Sequence, residues 1–313
     1  MKNILQTTAL SKKFGNTKAL QNINIKLQEG ISLMLGPNGS GKSTLLKISL
    51  GLLKPTSGKI ETLGKDPWKE GLQVKKNIGV VYEKVTLPKW VSGINYLKFV
   101  AGTKEISNIK NELDGISKLF DIDSYYQRDI RTYSAGMLQK IALAQAFLGR
   151  PKLVILDEPT TNLDTQARKK LAKIIKDYRE RYETNFIVSA HFITELEELC
   201  NQIVVLYNGR IIEQGKLEDL KMKYFSHVYR IETEEPIKTV EYLHKMNSVK
   251  KITLEGKSIF VETFKKSELE KNINILKEKG IQLAIFEKQT SIRSLYGKIL
   301  ELGQTRQADL EIN

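Results

Sequence analysis

Apolar and polar residues follow two different patterns along this chain, and each pattern predicts a different type of secondary structure. The run ISLML (31–35) is apolar and strand-like, whereas apolar residues recur at helical spacing from Ser43 to Leu53. Two later apolar runs, LVIL (153–156) and the start of TNFIVSAH, have the continuous character of buried parallel strands. The pattern therefore predicts an α/β domain over residues 1–222.

Beyond residue 222 the pattern changes to short alternating elements. HVYRIET, IKTVEYLHKM, KKITLEGKSIFVET, ELEKNINILKEKG and IQLAIFEK predict strand, helix, hairpin, helix and strand, with the hairpin turning near Glu255 and the second helix ending at Gly280. The order βαββαβ is the ferredoxin-like pattern. We predict a small α+β C-terminal domain over 223–313 that ends in a helix (SIRSLYGKILELG). It has no catalytic constellation, and dimer bracing or regulation is favoured over ligand sensing.

Composition excludes several classes of protein. No apolar run approaches the roughly 18 residues of a membrane-spanning helix, and the first residues have no secretory apolar core, so we expect a cytoplasmic protein. The single cysteine, Cys200, excludes an intramolecular disulfide framework and is interpreted as structural. The net charge of +14 is spread along the chain. Such a charge suits an anionic membrane surface as well as a nucleic acid and does not decide between them.

A phosphate-binding loop joins the first apolar strand to the first helix. Gly36, four further residues and then Gly41-Lys42-Ser43 have the spacing and the strand-to-helix context of that loop. Glycines let backbone N–H groups surround phosphate oxygens, Lys42 adds a positive charge and the Ser43 hydroxyl is a Mg²⁺ ligand.

A pair of carboxylates follows the second apolar run, where ligands of parallel sheets collect. Asp157 is a candidate for holding Mg²⁺ through water, and Glu158 is a candidate general base for the attacking water. The next strand ends in His191, which we expect to contact the γ-phosphate.

The order of these motifs resembles the ATP-binding cassette (ABC) ATPases over residues 1 to about 220. YSAGMLQ (133–139) is similar to the signature motif of that family, which implies a head-to-tail dimer, a homodimer or pseudo-dimer. Ser134 and Gly136 would then bind the γ-phosphate held by the loop of the other subunit. The small residues let a phosphate approach the backbone closely.

Three further matches complete the resemblance: Phe14 in KKFGN with the adenine-stacking aromatic, TNLD (161–164) with the loop that communicates across the dimer, and SAH (189–191) with the histidine switch. The resemblance implies nucleotide contacts from Phe14, Gly36, Pro37, Asn38, Gly39, Ser40, Gly41, Lys42, Ser43, Thr44, Ser134, Gly136 and Asp164. It implies metal contacts from Ser43, Asp157 and Glu83, and catalytic roles for Glu158, His191 and Lys42. Two alternatives stay open, that Phe14 is a core aromatic and that Asp164 merely caps a helix.

Three positions depart from the family pattern. Ala135 and Asn162 stand where glycine is common, and Ala135 is tolerated where the local φ is negative. Glu83 stands where glutamine is usual, and a carboxylate cannot donate a hydrogen bond. Exporting relatives often carry this change, so Glu83 indicates an exporter and puts its own metal role in doubt.

A helical subdomain is expected over about 85–150, with Trp90, Tyr96 and Phe99 as a docking surface or as ordinary core. The resemblance implies an ATP-hydrolysing subunit of an exporter, with a separate transmembrane permease, on the cytoplasmic face of the membrane. The competing hypothesis is a soluble ABC ATPase acting on nucleic acid or ribosomes. It is disfavoured because the chain has one cassette without coiled coils or zinc-binding cysteines. A degenerate cassette is disfavoured because the catalytic residues are present.

Overall fold

The computed structural model describes residues 2–189, 194–225, 227–247, 249–263, 266–287 and 291–312. The strands are β1 (Asn3–Phe14), β2 (Thr17–Ile23), β3 (Lys26–Gln28), β4 (Ile31–Leu35), β5 (Ser57–Thr62), β6 (Ile78–Val81), β7 (Leu153–Asp157), β8 (Asn185–Ser189), β9 (Gln202–Tyr207), β10 (Arg210–Lys216), β11 (His227–Thr233), β12 (Val249–Glu255), β13 (Ser258–Thr263) and β14 (Leu283–Glu287). The helices are α1 (Lys42–Ser49), α2 (Gly71–Lys76), α3 (Gly93–Thr103), α4 (Ile109–Leu119), α5 (Ala135–Phe147), α6 (Thr165–Tyr182), α7 (Leu217–Tyr224), α8 (Pro236–Leu243), α9 (Lys266–Glu278) and α10 (Ile292–Ile312).

The chain packs as two compact units. The first runs up to Leu217 and includes the residues from Ile299 onwards, and the second is Glu218–Lys298. The boundary between the two predicted domains, after residue 222, stays a prediction. Within the described ranges, no helix is both long enough and apolar enough to cross a membrane.

The first unit is built on a six-stranded sheet with the strand order β10-β9-β4-β8-β7-β6. The strands from β9 to β6 are parallel, and β10 pairs antiparallel with β9 at one edge. Strands β4, β7 and β8 are buried along their whole length, which explains their continuous apolar character. Their carboxyl ends, at Leu35, Asp157 and Ser189, therefore share one edge of the sheet.

Strand β7, which carries the first of the two carboxylates, is fixed at both ends by bonds to proline carbonyls. Before the strand, the Thr184 hydroxyl donates to the carbonyl of Pro151 at 2.9 Å. After it, the Gln139 amide donates to the carbonyl of Pro159 at 2.9 Å. Thr184 and Gln139 are both buried. Because buried carbonyls need a hydrogen-bond partner, these side chains hold the two ends of β7 in place.

A second, antiparallel sheet has the order β2-β1-β3, with β5 also paired to β1. Its inner face packs with α1 and the central sheet into one apolar core. The members of this core include Leu5, Leu10, Leu20, Leu45, Ile48, Ile155, Ile187 and Val204. This core sets the position of α1 and of the loop before it.

Helix α1 is shorter than its apolar spacing predicts. It ends at Ser49, so the prediction of helix as far as Leu53 is wrong. The N–H of Gly51 donates to the carbonyl of Ile48, and the N–H of Leu52 donates to that of Lys47. These two bonds form a Schellman motif, which turns the chain out of the helix although the next apolar residues continue the spacing.

Helices α3, α4 and α5 lie within the range expected for the helical subdomain. Ser92 caps α3 and Asn108 caps α4, each accepting a bond from the backbone N–H three residues on. On α5, the Phe147 ring lies 4.8 Å from the Tyr178 ring and 5.3 Å from the Phe120 ring, measured between centroids. These contacts join α5 to both α4 and α6.

The second unit has the predicted element order βαββαβ. Its antiparallel sheet has the strand order β12-β13-β11-β14. The hairpin between β12 and β13 turns at Gly256, and α9 ends two residues before Gly280. The buried core contains Tyr229, Ile231, Leu243, Ile259, Val261, Leu269 and Ile273. A ferredoxin-like identity for this unit stays a prediction.

Candidate functional site

The phosphate-binding loop lies between β4 and α1, where the sequence predicts it. Gly41 precedes the helix with φ +107°, and a Cβ there would lie 2.7 Å from the carbonyl oxygen of Ala19. Glycine is therefore required at this turn. No side chain caps α1, so its first N–H groups point into the loop. The Ser40 hydroxyl is buried and has no hydrogen-bond partner in the described part of the chain.

Lys42 is the buried cation of this loop. Its ammonium donates to the carbonyl of Gly36 at 2.7 Å and to that of Pro37 at 3.2 Å. Burial lowers the pKa of Lys42, and the nearby carboxylates of Glu158, Asp157 and Glu83 oppose that effect. The structure therefore brings the predicted cation and the three predicted carboxylates into one electrostatic cluster.

The two carboxylates after β7 have different surroundings. Asp157 is buried and accepts a hydrogen bond from the Ser189 hydroxyl at the end of the neighbouring strand. Glu158 is partly exposed, and its backbone has φ +50°, a left-handed conformation that is unusual for residues other than glycine. The N–H of Glu158 donates to the carbonyl of Ser189 at 3.0 Å. The fixed, buried Asp157 suits a metal-binding role, and Glu158, which is only partly buried, suits contact with a bound water.

The donor set fits Mg²⁺. The Ser43 hydroxyl and the Asp157 carboxylate offer the hard oxygen atoms that this ion prefers. Among the described residues no group of three His, Cys, Asp or Glu side chains could hold a metal ion. Mg²⁺ commonly takes one or two protein oxygens and completes its shell with phosphate and water, so these two residues suffice.

The signature residues open helix α5. The Ser134 hydroxyl caps the helix by accepting a bond from the N–H of Met137 at 3.3 Å. Ala135 is the first helical residue, so the departure from glycine causes no strain there. A Cβ on Gly136 would lie 3.2 Å from the carbonyl oxygen of Asn162. Asn162 itself has φ +62°, which explains why glycine is common at its position.

The structure answers differently the two alternatives left open by the sequence, that Phe14 is a core aromatic and that Asp164 caps a helix. Phe14 is 48% exposed, with the ammonium of Lys12 5.0 Å from its ring centroid, so it is not a core aromatic. Its exposed face leaves it free to stack on a base, which keeps the nucleotide hypothesis open. Asp164 does cap α6, because its carboxylate accepts a bond from the N–H of Ala167 at 2.8 Å. A contact with nucleotide stays a prediction for both residues.

Glu83 and His191 complete the predicted set. Glu83 is exposed on the loop after β6. The residue before it, Tyr82, has its pKa raised by burial and by the nearby Asp157 carboxylate, so this loop borders the acidic edge of the sheet. His191 lies outside the described residues, and its role stays a prediction.

The aromatics of the helical region divide into two groups. Trp90 is 83% exposed and Phe99 is 70% exposed, so they are not core residues. Tyr96 is partly buried, and its hydroxyl donates to the side chain of Gln145 at 2.5 Å. Trp90 and Phe99 are therefore available as a docking surface, whereas Tyr96 is held inside the subdomain.

Two polar residues of the site escape the sequence analysis. Ser189 was part of the predicted strand, but nothing in its sequence context indicates a bond to Asp157, 32 residues away. Gln139 lies within the signature motif, and nothing in the motif indicates that its amide reaches the residue after Glu158. A glutamine within the apolar-rich stretch LQKIALAQAF is the signal in the sequence that points to a buried polar role.

Comparison with known sequences supports the same family. The family described as ABC transporter matches residues 20–161. The chain is 30% identical over 226 residues (71% of this chain and 73% of the relative) to the bacitracin transport ATP-binding protein BcrA of Bacillus licheniformis. It is 28% identical over 310 residues (98% of both chains) to the uncharacterized ABC transporter ATP-binding protein YhcH of Bacillus subtilis (strain 168). It is 36% identical over 214 residues (67% of this chain and 61% of the relative) to the sulfate/thiosulfate import ATP-binding protein CysA of Mesostigma viride.

The fold agrees with solved structures of cassettes. A structure described as the ATP-binding subunit of an ABC transporter superimposes with a TM-score of 0.66 at 24% identity, covering 71% of this chain and 93% of that one. This similarity confirms the fold predicted for the first unit. The 30% identity to BcrA, over 73% of the length of that protein, identifies the family of this chain. The chain belongs to the ABC transporter ATP-binding proteins, and it is an ATPase of that family.

Proposed function

We propose that this chain is the energy-supplying subunit of an ABC exporter, working as a dimer with a separate membrane permease. The observation that carries the proposal is the cluster of Lys42 with the Asp157, Glu158 and Glu83 carboxylates around the phosphate-binding loop. Such a cluster combines a phosphate-binding cation with groups that can position a metal ion and water.

Catalysis would depend on positioning and charge neutralisation. The loop and the N-terminus of α1 would bind the phosphates, and Lys42 would turn from the loop carbonyls towards the β- and γ-phosphates. Glu158 would accept a hydrogen bond from the attacking water and orient it in line with the leaving group. His191 of the same subunit and Ser134 of the opposing subunit would stabilise the charge that develops on the γ-phosphate.

A bound Mg²⁺ would neutralise charge on the β- and γ-phosphates. Ser43 and Asp157 would hold it, and Ser189 would orient the Asp157 carboxylate through the hydrogen bond between their side chains. Glu83 lies exposed on the loop after β6, and its charge acts on Lys42, so it is a further candidate oxygen ligand for the ion.

The exposed start of α5 supports the proposed dimer. Ser134 is exposed at the start of the helix, and its hydroxyl and the helix N-terminus could bind a phosphate supplied by a second subunit. ATP would thereby join two chains, and hydrolysis would release them. This arrangement explains why the signature helix begins with small residues.

The exporter direction and the permease rest on observations outside the phosphate-binding loop. Glu83 in place of glutamine favours an exporter, but the relatives include a protein named for bacitracin transport and one named for sulfate import. Trp90 and Phe99 supply an exposed apolar surface that suits a helix or loop of a membrane partner. We place the working complex at the cytoplasmic face of the membrane.

The assignment of the base is tested by Glu158→Gln. The variant should lose at least 100-fold in ATP turnover and accumulate an ATP-bound dimer, measured by phosphate release and by size exclusion with ATP. Lys42→Ala is the control, because it should weaken nucleotide binding itself. Brisk turnover by Glu158→Gln would refute the assignment.

The transporter reading is tested by isolating the tagged chain from detergent-solubilised native membranes. A multi-span membrane protein in matching stoichiometry, identified by mass spectrometry, would support the permease partner. Ribosomal proteins or nucleic acid, with the chain absent from membranes, would favour the soluble ATPase instead.

A further inference from the structure

We propose that Gln139 is a positioning residue for Glu158, and that it links the geometry of this base to the signature helix of the same chain. The inference rests on the proposed function, because it takes Glu158 as the group that orients the attacking water. It assigns a role to a buried polar side chain that neither binds phosphate nor belongs to the acidic pair.

The backbone at Glu158 needs external support. Its φ of +50° lies in the left-handed region, which a residue with a Cβ adopts at a cost. On the sheet side, the N–H of Glu158 donates to the carbonyl of Ser189. The next residue, Pro159, has no N–H and cannot add a bond of that kind. The support on the other side comes from Gln139, whose amide donates to the carbonyl of Pro159 at 2.9 Å.

The bond is well protected from water. Gln139 is 2% exposed, and Pro159 is buried as well. A buried carbonyl that loses its donor has no water to replace it, so the loop would have to shift to regain a partner. The direction of the Glu158 side chain depends on this backbone, and a small displacement of a catalytic group is enough to slow a reaction.

The same face of α5 touches the loop a second time. Gly136 and Gln139 are three residues apart and therefore lie on one side of the helix. A Cβ on Gly136 would be 3.2 Å from the carbonyl oxygen of Asn162, so helix and loop approach each other closely there. One turn of α5 is thus packed against residues 159–162, directly after the base.

This packing connects the residue proposed to bind the γ-phosphate of the opposing subunit with the residue proposed to orient the attacking water. Ser134 begins the same helix and is the residue proposed to bind the γ-phosphate of the opposing subunit. When that phosphate holds the start of α5 in place, Gln139 holds the carbonyl of Pro159 in place. The bond therefore gives a direct route, through one turn of α5, from the signature residues to the backbone that directs the base.

The test compares Gln139→Leu with the control Thr184→Val. Both variants remove one buried side-chain donor to a proline carbonyl, on opposite ends of β7. We expect Gln139→Leu to lower kcat for ATP at least ten-fold, to leave KM within two-fold and to accumulate an ATP-bound dimer. Thr184→Val should keep kcat and KM within two-fold of the unmodified chain. Thermal unfolding of both variants measures the structural cost that they share.

Three results would overturn the proposal: an unchanged kcat in Gln139→Leu, an equal fall of kcat in Thr184→Val, or a rise of KM in step with the loss of turnover. If Gln139→Leu does not fold, Gln139→Asn takes its place, because its shorter side chain withdraws the same amide from Pro159. Turnover that survives Glu158→Gln would refute the base itself. If turnover is lost in Glu158→Gln but unchanged in Gln139→Leu, the positioning role of Gln139 is refuted and the assignment of the base is not.

Discussion

The hydroxyl of Ser189 donates a hydrogen bond to the carboxylate of Asp157 across two neighbouring parallel strands. Both side chains are buried at the carboxyl edge of the sheet. The bond leaves the other lone pairs of Asp157 available to a metal ion and fixes the direction in which they point. It connects the strand that ends at Asp157 to the strand that precedes His191 in the sequence.

Ser189→Ala should therefore weaken the response of the ATPase to Mg²⁺. We expect the Mg²⁺ concentration for half-maximal activity to rise three- to ten-fold, with nucleotide binding in the absence of metal unchanged. Ser32→Ala is a matched control, because Ser32 is buried on the adjoining strand β4 and its hydroxyl has no hydrogen-bond partner among the described residues. An equal effect in both variants would contradict the role of Ser189.

Asn162 provides a test of backbone geometry in the loop after the base. Its φ is +62°, and a β-branched side chain is strongly disfavoured there. Asn162→Val should lower the free energy of unfolding by roughly 1–2 kcal/mol and reduce turnover, whereas Asn162→Gly should retain both. Thermal unfolding and phosphate release measure the two effects. A valine variant as stable as the glycine variant would show that the loop accommodates the change.

Lys104 predicts a dependence of stability on pH. Burial lowers its pKa to about 8, partly offset by Glu112, and its ammonium donates to the carbonyl of Leu148 at 2.9 Å. In the unfolded chain a lysine has a pKa of about 10.4. Between these two values the unfolded chain holds a proton that the folded chain has released. The free energy of unfolding therefore rises with pH from about 8 to about 10.4 through this residue.

Lys104→Met should remove this contribution. Relative to the unmodified chain, the variant should be more stable by roughly 1–3 kcal/mol at pH 7, and the difference should shrink as the pH approaches 10.4. Denaturant unfolding at a series of pH values measures it. Lys98→Met is the control, because Lys98 is exposed on α3, the helix that Lys104 follows directly. A constant difference at all pH values would contradict the prediction.

Trp90 and Phe99 test the proposed docking surface. Their replacement by serine should leave the ATPase of the isolated chain within two-fold and reduce recovery of the chain with native membranes at least five-fold. Ile237→Ser changes an apolar side chain that is equally exposed on the second unit and should have no effect on recovery. Recovery that falls equally in both cases would indicate a general loss of solubility instead of a lost docking site.

Several strands of the first unit and its phosphate-binding loop can be predicted because each is specified by residues that are close together in the sequence. The strand before the phosphate-binding loop is a continuous apolar run since it is buried on both faces, and the loop needs glycine at Gly41 for steric reasons. The bonds of Ser189 and Gln139 join residues 32 and 20 positions apart, so they depend on the folded sheet and leave no periodic trace in the sequence. The early end of α1 depends on Gly51, whose effect competes with an uninterrupted apolar spacing.

The two proline carbonyls that flank β7 have a consequence for the way this site can move. A strand fixed before its first residue and after its last cannot slip along its neighbours without breaking a buried bond at each end. The amide hydrogens of β7 should therefore be among the slowest in the chain to exchange with deuterium, since only unfolding of the whole unit would expose them. Any rearrangement during the ATP cycle must then be carried by the helices around this strand, while the strand itself serves as the fixed reference.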